Sequence, residues 1–340
     1  MTQISSISEF LLQAKTEYRV FDMGRGIRPV PDQTFLDLEN GILSAPNPRL
    51  QHAWFGLIFF SRELSSEHYI WFVKLPLDEQ GLIITATRNH FLHIITDALG
   101  QQLEHNKNAK GCLPENPYSF LPNQQQLADF NSISRSALSL PPSAYYQEAM
   151  TYFNHPEQQD WQRVPLQGIA DIAARGQQKD TVSLLLNSFN DLATPVKMHL
   201  LASLENHIVE QRLSHFIIDW SVANFHQETL LQHGLRALSQ STDKVAVKNL
   251  LTKVLQSEHG SNVNTMVLIA ARHWQYFCDE DFLALYINLL VELESELFIS
   301  LYTDLVQIPS IRPCILAVIR WSEKSEKLTR IIGQIFSGQA

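Results

Sequence analysis

Cysteine is scarce in this chain of 340 residues, and its pattern argues against the common cysteine-based architectures. The three cysteines are Cys112, Cys278 and Cys314, an odd number whose members lie too far apart to form a zinc-binding motif. Secreted proteins that depend on disulfides usually hold many paired cysteines. We therefore expect no disulfide framework, and we favour a reducing compartment.

Long apolar runs are also missing from the sequence. The longest covers residues 54–60, well short of the ~18 residues that a membrane-spanning helix needs. The first residues, MTQISSISEF, contain neither the basic region nor the apolar region of a secretory signal. These absences predict a cytoplasmic protein without membrane insertion.

Basic residues are outnumbered in both halves of the chain. The formal net charge is −9. Residues 1–160 contain eleven Lys and Arg against seventeen Asp and Glu, and the remainder contains fifteen against eighteen. Because phosphate neutralisation supplies most of the affinity of nucleic-acid-binding proteins, general nucleic-acid binding is disfavoured. A local basic patch is still compatible with these counts.

Sequence motifs for catalysis and cofactor binding are absent. The chain has no GxxxxGK[ST] loop, no GxGxxG after a strand and no GxSxG elbow. We therefore predict no cofactor. Thirteen histidines leave a Ser/His/Asp arrangement open in three dimensions, so the absence of motifs leaves enzymatic activity undecided and leans against it.

A series of amphipathic helices is what the sequence does contain, from residue 164 to residue 336. The helices pair up, and the pairs open near five residues at a period of about 31 to 34: Pro165, Pro195, Glu228, Asn262 and Ser295. A single pair of this length cannot bury its apolar face, whereas stacked pairs can. The pattern predicts a mostly α protein with a HEAT-like α-solenoid of about five helix pairs.

Strand patterns are confined to the N-terminal part of the chain. Residues 18–22 and 27–30 flank a glycine turn, and the aromatic segments 52–61 and 68–75 flank the polar residues 62–67. Both arrangements are typical of antiparallel hairpins. A helix over residues 85–103 follows, with its inner face formed by Phe91, Leu92, Ile95, Ala98 and Leu99. We predict a small α+β module with an antiparallel sheet.

These patterns predict four regions along the chain. Residues 1–105 form the α+β module, and the Asn- and Pro-rich residues 106–122 form a linker. Residues 123–160 contain two capping helices, and residues 161–340 form the α-helical repeat region.

The first hairpin turn contains one candidate binding site. Asp22, Arg25 and Arg28 surround Gly24 and Gly26, whose backbone N–H groups could face an anion while the arginines supply charge. The simpler interpretation, a glycine turn with solvated arginines, is favoured because short glycine patterns are weak signals. If the turn recognises an acidic group, we expect Arg25→Ala to leave folding intact, because the turn geometry depends on the glycines.

A second candidate is the carboxylate pair Asp78 and Glu79, which precedes Gln80-Gly81 after an aromatic strand. Paired carboxylates can share acid and base roles when their environments differ. Neighbours on an exposed turn more often stabilise the turn itself.

A possible metal site is offered by His90, His93 and Asp97, which share one helical face. The apolar residues of that helix define the opposite face, so a solvated polar face explains the same pattern. No further ligand cluster accompanies them, and we predict no metal.

Three segments resemble a known family. They are YRVFDMGRGIRPVPDQTF at residues 18–35, HAWFGLIFF at 52–60 and KLPLDEQGLII at 74–84. The chain resembles, over its full length, the DUF3549 family of uncharacterised gammaproteobacterial proteins. The resemblance implies a bacterial cytoplasmic protein without an assigned activity, cofactor or catalytic residue.

The leading functional hypothesis is an interaction or scaffold protein that binds a protein or peptide partner through the helical-repeat surface. The alternative is an enzyme or small-ligand-binding module in the first 105 residues, built around Asp22, Arg25, Arg28, Asp78 and Glu79.

Overall fold

The computed structural model describes residues 6–61, 68–104, 115–321 and 324–337, without the side chains of residues 99–104 and 336. The chain is mostly helical, with an N-terminal antiparallel sheet. It divides into two compact units. The first unit combines Met1–Leu121 with Tyr302–Val318, and the second combines Pro122–Leu301 with Ile319–Ala340.

The sheet of the first unit has four strands in the order β2-β1-β3-β4, and every pairing is antiparallel. The strands are β1 (Thr16–Asp22), β2 (Arg28–Val30), β3 (His52–Ser61) and β4 (His68–Pro76). Both predicted strand pairs are confirmed, although residues 62–67 between β3 and β4 lie outside the described chain. The pairing of β1 with β3, with Val20 opposite Leu57, was not predicted.

Three helices complete the N-terminal part of this unit: α1 (Ile7–Gln13), α2 (Asp32–Glu39) and α3 (Thr85–Glu104). Together with the sheet they enclose one hydrophobic core, and Phe91, Leu92 and Ile95 of α3 are buried in it as predicted. The α1 helix is held by the buried Glu39, whose carboxylate accepts hydrogen bonds from the backbone N–H groups of Ile7 (2.6 Å) and Ser8 (3.1 Å). A carboxylate at a helix N-terminus satisfies N–H groups that have no partner within the helix.

The end of the predicted linker lies along the sheet. The backbone N–H of Lys74 donates to the carbonyl of Tyr118 (2.7 Å), and that of Phe120 donates to Phe72 (3.2 Å). Residues 105–114, which include Cys112 and the first part of the predicted linker, lie outside the described chain. Residues 118–120 therefore extend the hydrogen bonding of β4.

The remaining helices follow in chain order, and each predicted pair begins within one residue of an observed helix start. The pair-opening helices are α6, α8, α10, α12 and α14. The full set is α4 (Gln124–Ala137), α5 (Tyr146–Asn154), α6 (Leu166–Ala173), α7 (Lys179–Ser188), α8 (Thr194–Leu204), α9 (Gln211–Ala223), α10 (Glu228–Ala237), α11 (Lys244–Leu255), α12 (Val263–Arg272), α13 (Glu280–Leu293), α14 (Ser295–Val306), α15 (Arg312–Ala317) and α16 (Glu326–Ser337).

Helices of the second unit contact each other in two alternating series. In one series, which we call the α8 layer, α4 contacts α6 and α8, α6 contacts α8, α8 contacts α10, and α10 contacts α12. In the other, the α9 layer, α5 contacts α7, α7 contacts α9, α9 contacts α11, and α11 contacts α13. Contacts of α5 with α6, α9 with α10 and α12 with α13 join the two layers.

The sequence offers candidate N-cap residues at Thr194, at Thr242 or Asp243, at Asp279 and at Ser310, and these predictions are partly correct. Asp243 and Asp279 accept hydrogen bonds from backbone N–H groups in the first turns of α11 and α13, as expected. Thr194 is the first residue of α8 rather than its N-cap, and α15 begins at Arg312 after Ile311 instead of after Ser310. These one-residue errors fall where helix boundaries are least determined by local sequence.

Two cysteines, Cys278 and Cys314, are disulfide-bonded. The sequence pattern, which predicts no disulfide framework, gave no sign of this bonding. Cysteine spacing in sequence does not report which residues meet in space. The cysteine count therefore gives no support to a reducing compartment.

In the described residues, no helix combines the length and the apolar character that crossing a membrane requires.

Candidate functional site

The turn between β1 and β2 is closed tightly against the loop that precedes β3. A Cβ atom at Gly24 would lie 1.8 Å from the carbonyl oxygen of Asn47, so no side chain fits there. Gly26 adopts a φ of +132°, a conformation that L-residues with a side chain rarely take. Both glycines are thus required by the packing and the backbone of the turn itself.

Arg25 points into the first unit and is 4% exposed. Its Nε donates to the carbonyl of Pro48 (3.0 Å), and its Nη2 forms an ion pair with Asp304. The other carboxylate oxygen of Asp304 accepts a hydrogen bond from the backbone N–H of Leu50 (3.2 Å). The expectation of a solvated Arg25 is wrong. Because its ion pair is buried, we now expect Arg25→Ala to destabilise the first unit.

Asp22 is buried beneath the same turn. Its carboxylate accepts hydrogen bonds from the backbone N–H of Gly24 (2.8 Å) and from Nδ2 of Asn47 (3.3 Å). Burial raises the pKa of Asp22 to about 7, although these two donors and the charges of Arg28 and Arg25 act to lower it. The carboxyl group is therefore partly protonated near neutral pH.

Arg28 is half-buried, and its Nη1 donates to the neighbouring carbonyl of Ile27 (2.9 Å). Arg25 and Arg28 lie close enough to Asp22 for their charges to lower its pKa. Asp22 and Arg25, however, direct their polar groups at protein atoms. Their arrangement ties the turn to Asn47, Pro48 and Asp304 of the same unit.

The pair Asp78 and Glu79 lies on an exposed turn after β4. Asp78 Oδ1 accepts hydrogen bonds from the backbone N–H groups of Gln80 (2.9 Å) and Leu82 (2.8 Å). This is the pattern in which an Asp side chain stabilises its own turn. The geometry supports a structural role for Asp78.

The predicted histidine face divides into two separate contacts. Nδ1 of His90 lies 3.0 Å from the hydroxyl of Tyr118, and Nδ1 of His93 lies 2.7 Å from a carboxylate oxygen of Asp97. His93 and Asp97 are well exposed. Within the described residues, no group of three or more His, Cys, Asp or Glu could hold a metal ion.

A cluster that the sequence analysis missed lies on the α8 layer of the second unit. Asp129 of α4 is 1% exposed. It accepts hydrogen bonds from Ser203 Oγ (2.6 Å), Gln125 Nε2 (3.1 Å) and Asn206 Nδ2 (3.1 Å). Burial raises its pKa to about 7 against the lowering effect of Ser203, and the carboxylate of Glu205 raises it further.

Glu205, at the end of α8, is the second buried carboxylate of this cluster. Its Oε2 accepts hydrogen bonds from Nε of Arg236 on α10 (2.8 Å) and from Nε of Arg272 on α12 (3.0 Å). Burial by itself would raise the pKa of Glu205, but the charges and hydrogen bonds of the two arginines outweigh it and lower the pKa to about 2. One ionised carboxylate therefore fixes two guanidiniums.

The two guanidiniums are only partly covered, since the side chains of Arg236 and Arg272 are 31% and 23% exposed. The outer nitrogens of Arg272 also have acceptors. Nη2 lies 3.4 Å from Oε1 of Glu205, and Nη1 donates to the carbonyl of Ala271 (3.2 Å). Arg236 engages Glu205 through Nε. In the described part of the chain, neither of its Nη groups has a hydrogen-bond acceptor.

Two histidines lie on helices of the same layer. His199 of α8 directs Nδ1 to Oε1 of Gln125 (3.0 Å), and His233 of α10 directs Nδ1 to the carbonyl of Thr229 (2.8 Å). Burial and then the proximity of His233 lower the pKa of His199, which favours its neutral form. We refer to the surface formed by Gln125, His199, His233, Arg236 and Arg272 as the polar face.

Local sequence could not reveal this cluster, because its members are far apart in the chain. Arg236 lies 31 residues after Glu205, and Arg272 lies 67 residues after it. These separations are close to one and two of the predicted periods of 31 to 34 residues. An alignment of the predicted helix pairs, searched for polar positions that coincide, could have found the cluster.

Comparison with known proteins identifies the family. A family model described as "Protein of unknown function (DUF3549)" matches residues 2–336. Searches of curated proteins and of solved structures gave no significant match. Since the family model extends over nearly the whole sequence, the resemblance inferred from the N-terminal segments is confirmed, and the chain belongs to the DUF3549 family.

Proposed function

We propose that this chain is an interaction or scaffold protein that binds a protein or peptide partner along the polar face of its α8 layer. The observation that carries the proposal is Arg236, whose inner nitrogen is fixed by buried Glu205 while its outer nitrogens have no acceptor among the described residues. Arginine held in this manner is a common anchor in protein interfaces.

The proposed architecture is a HEAT-like α-solenoid of about five helix pairs. Support comes from helix starts at the predicted period and from contacts between alternate helices in both layers. Stacked helix pairs create extended surfaces to which several successive helices contribute. The four-region division at residues 1–105, 106–122, 123–160 and 161–340 belongs to this proposal.

The alternative, an enzyme or ligand-binding module in the first 105 residues, has less support. Asp22 and Arg25 are buried and engaged with Gly24, Asn47, Pro48 and Asp304. A catalytic or binding group must reach a ligand in order to act on it. We therefore assign the turn residues a structural role in the proposal.

A cytoplasmic location and the lack of general nucleic-acid binding also belong to the proposal. The net charge of −9 supports the second of these. The first no longer draws support from the cysteines, two of which are disulfide-bonded. Comparing the reactivity of the thiols in freshly lysed cells and after reduction would test the compartment directly.

Site-specific photo-crosslinking tests the proposed function. His199, exposed on α8, is replaced by p-benzoylphenylalanine, and Val222, 39% exposed on α9, is replaced in a matched control. We expect irradiation of cells that naturally produce the protein to yield one defined protein adduct from position 199. That adduct should be absent from position 222. Equal adducts from both positions, or none from position 199, would contradict a partner on the polar face.

A further inference from the structure

We propose that the partner is anchored on the polar face by an acidic side chain, a Glu or Asp of a peptide segment, which binds the outer edge of Arg236 beside Arg272. This inference rests on the proposed function and names the chemistry of the ligand. It also identifies the residue whose change should affect recognition most.

The hydrogen-bonding geometry of Arg236 suits a carboxylate. A guanidinium can donate paired hydrogen bonds along two of its edges. On one edge of Arg236, Nε donates to Oε2 of Glu205 (2.8 Å). The two Nη groups remain, and no described residue accepts a hydrogen bond from them. A planar pair of N–H donors matches the two oxygens of a carboxylate, which it binds through parallel hydrogen bonds.

Charge complementarity favours a ligand with one negative charge. Two guanidiniums and one carboxylate, Glu205, leave a surplus of one positive charge. When Asp129, which lies nearby, is ionised, its negative charge reduces that surplus. A carboxylate carries one negative charge, whereas a phosphorylated side chain carries about 1.5 to 2 near neutral pH. The local charge therefore selects the acidic side chain over the phosphate.

The arginine is fixed before any ligand arrives. Glu205 is 7% exposed in its side chain and accepts from both Arg236 and Arg272, which come from different helices. Arginine normally loses side-chain freedom on binding, and a guanidinium already held by a buried carboxylate loses less. Pre-organisation of this kind raises affinity without adding a contact.

The polar face offers further hydrogen-bonding groups besides the arginines. If Nδ1 of His199 carries the proton that it shares with Gln125, its Nε2 is an acceptor that can receive a peptide N–H. His233 of α10 directs its Nδ1 to the carbonyl of Thr229. A peptide that places its carboxylate on Arg236 would thus meet one imidazole on α8 and one on α10.

The experiment uses an array of synthetic twelve-residue peptides of varied sequence, each containing one Glu at the centre. Every peptide has three counterparts in which that Glu is Gln, Lys or phosphoserine. The full-length chain is applied to the array, and the best binders are measured by fluorescence anisotropy. We expect Glu peptides to bind about tenfold or more tightly than their Gln counterparts, as a charge-assisted hydrogen-bond pair would give.

Variants of the chain show whether Arg236 is responsible. Arg236→Lys retains the positive charge next to Glu205 but lacks the paired Nη donors. We therefore expect it to bind the Glu peptides about tenfold more weakly. Arg212→Gln, an exposed arginine on α9, is the matched control and should bind as the wild type does. Thermal unfolding of each variant excludes loss of folding as the cause, and Arg272→Lys serves as a second variant if Arg236→Lys unfolds.

The outcomes separate this inference from the proposed function. Equal binding of Glu and Gln peptides, or equal binding by wild type and Arg236→Lys, would overturn the acidic anchor. A preference for phosphoserine over Glu would overturn the choice of carboxylate. Neither result affects a crosslink from position 199, whereas loss of that crosslink contradicts the proposed function whatever the peptides do.

Discussion

Gly24 and Arg25 illustrate how one short motif admits two interpretations at the scale of single residues. Glycines that bracket an arginine suggest an anion-binding turn, yet a glycine is also needed wherever two backbone segments meet closely. The 1.8 Å approach to Asn47 decides for the second interpretation at Gly24. The partner of Arg25 is Asp304, 279 residues later, and no local pattern could have predicted it.

We predict that Gly24→Ala strongly destabilises the first unit. The new methyl group would overlap the carbonyl of Asn47, and forced overpacking costs about 1–3 kcal/mol or more. Gly333→Ala in α16 is the matched control, because a Cβ there meets nothing within 4 Å and alanine favours a helix. Calorimetric unfolding of both variants decides the matter. A Gly24→Ala variant as stable as Gly333→Ala would show that the turn can open.

We predict that Arg25 and Asp304 contribute to the free energy of unfolding as a coupled pair. Arg25 is almost fully buried and Asp304 is 20% exposed, so removing either partner leaves a poorly solvated charge. We expect Arg25→Ala to cost about 3 kcal/mol in the free energy of unfolding. A double-mutant cycle with Asp304→Asn should give a double variant less destabilised than the sum of the two single variants. Strictly additive effects would rule out the coupling.

Asp129 should make the stability of the second unit depend on pH. Its pKa rises from 3.8 to about 7 on folding, so its contribution is complete below pH ~4 and is lost as the pH rises through 7. Over that range, the free energy of unfolding of the wild type should fall by about 1.4 kcal/mol per pH unit relative to Asp129→Asn. Urea unfolding of both proteins from pH 5 to pH 8 measures the difference. A constant difference would mean that Asp129 does not titrate in this range.

At the scale of elements, helices and strands are predicted correctly where short-range sequence patterns determine them. Apolar periodicity and capping residues predicted the starts of α6, α8, α10, α12 and α14 to within one residue. The aromatic strand β3 was predicted over its observed length. The pairing of β1 with β3 escaped prediction because it joins segments separated by α2 and a long loop, and hydrophobic pattern alone does not order strands.

The tight turn that leads into β3 has a strained backbone. Leu50 and Gln51, its two central residues, have positive φ angles of 51° and 59°. Hydrogen bonds in both directions between Arg49 and His52 close it as a hairpin turn. Asn-Gly is the preferred pair at such positions, so Leu50→Asn with Gln51→Gly should stabilise the first unit by about 1 kcal/mol. A rise in the calorimetric unfolding temperature is expected, and a fall would mean that the Leu50 side chain contributes packing that outweighs its backbone strain.

At the scale of the whole molecule, sequence patterns predict a mostly helical chain with an N-terminal sheet, but they do not predict the polar face. Helical content and the N-terminal antiparallel sheet follow from patterns within a few residues. The polar face depends on Asp129, Glu205, Arg236 and Arg272, each of which is unremarkable in its own segment. Only stacking of α4, α8, α10 and α12 brings them together. The polar face could not be predicted from one sequence, because it is formed by the packing of distant segments.

We propose that recognition depends on the polar face of the second unit and not on the glycine turn of the first. The direct test is the affinity of the purified, crosslink-identified partner for two variants, Arg236→Lys and Arg28→Lys. Each keeps its charge and loses the guanidinium fork. The claim predicts about tenfold weaker binding by Arg236→Lys and unchanged binding by Arg28→Lys. Weaker binding by Arg28→Lys, with Arg236→Lys unaffected, would contradict it and assign recognition to the N-terminal turn.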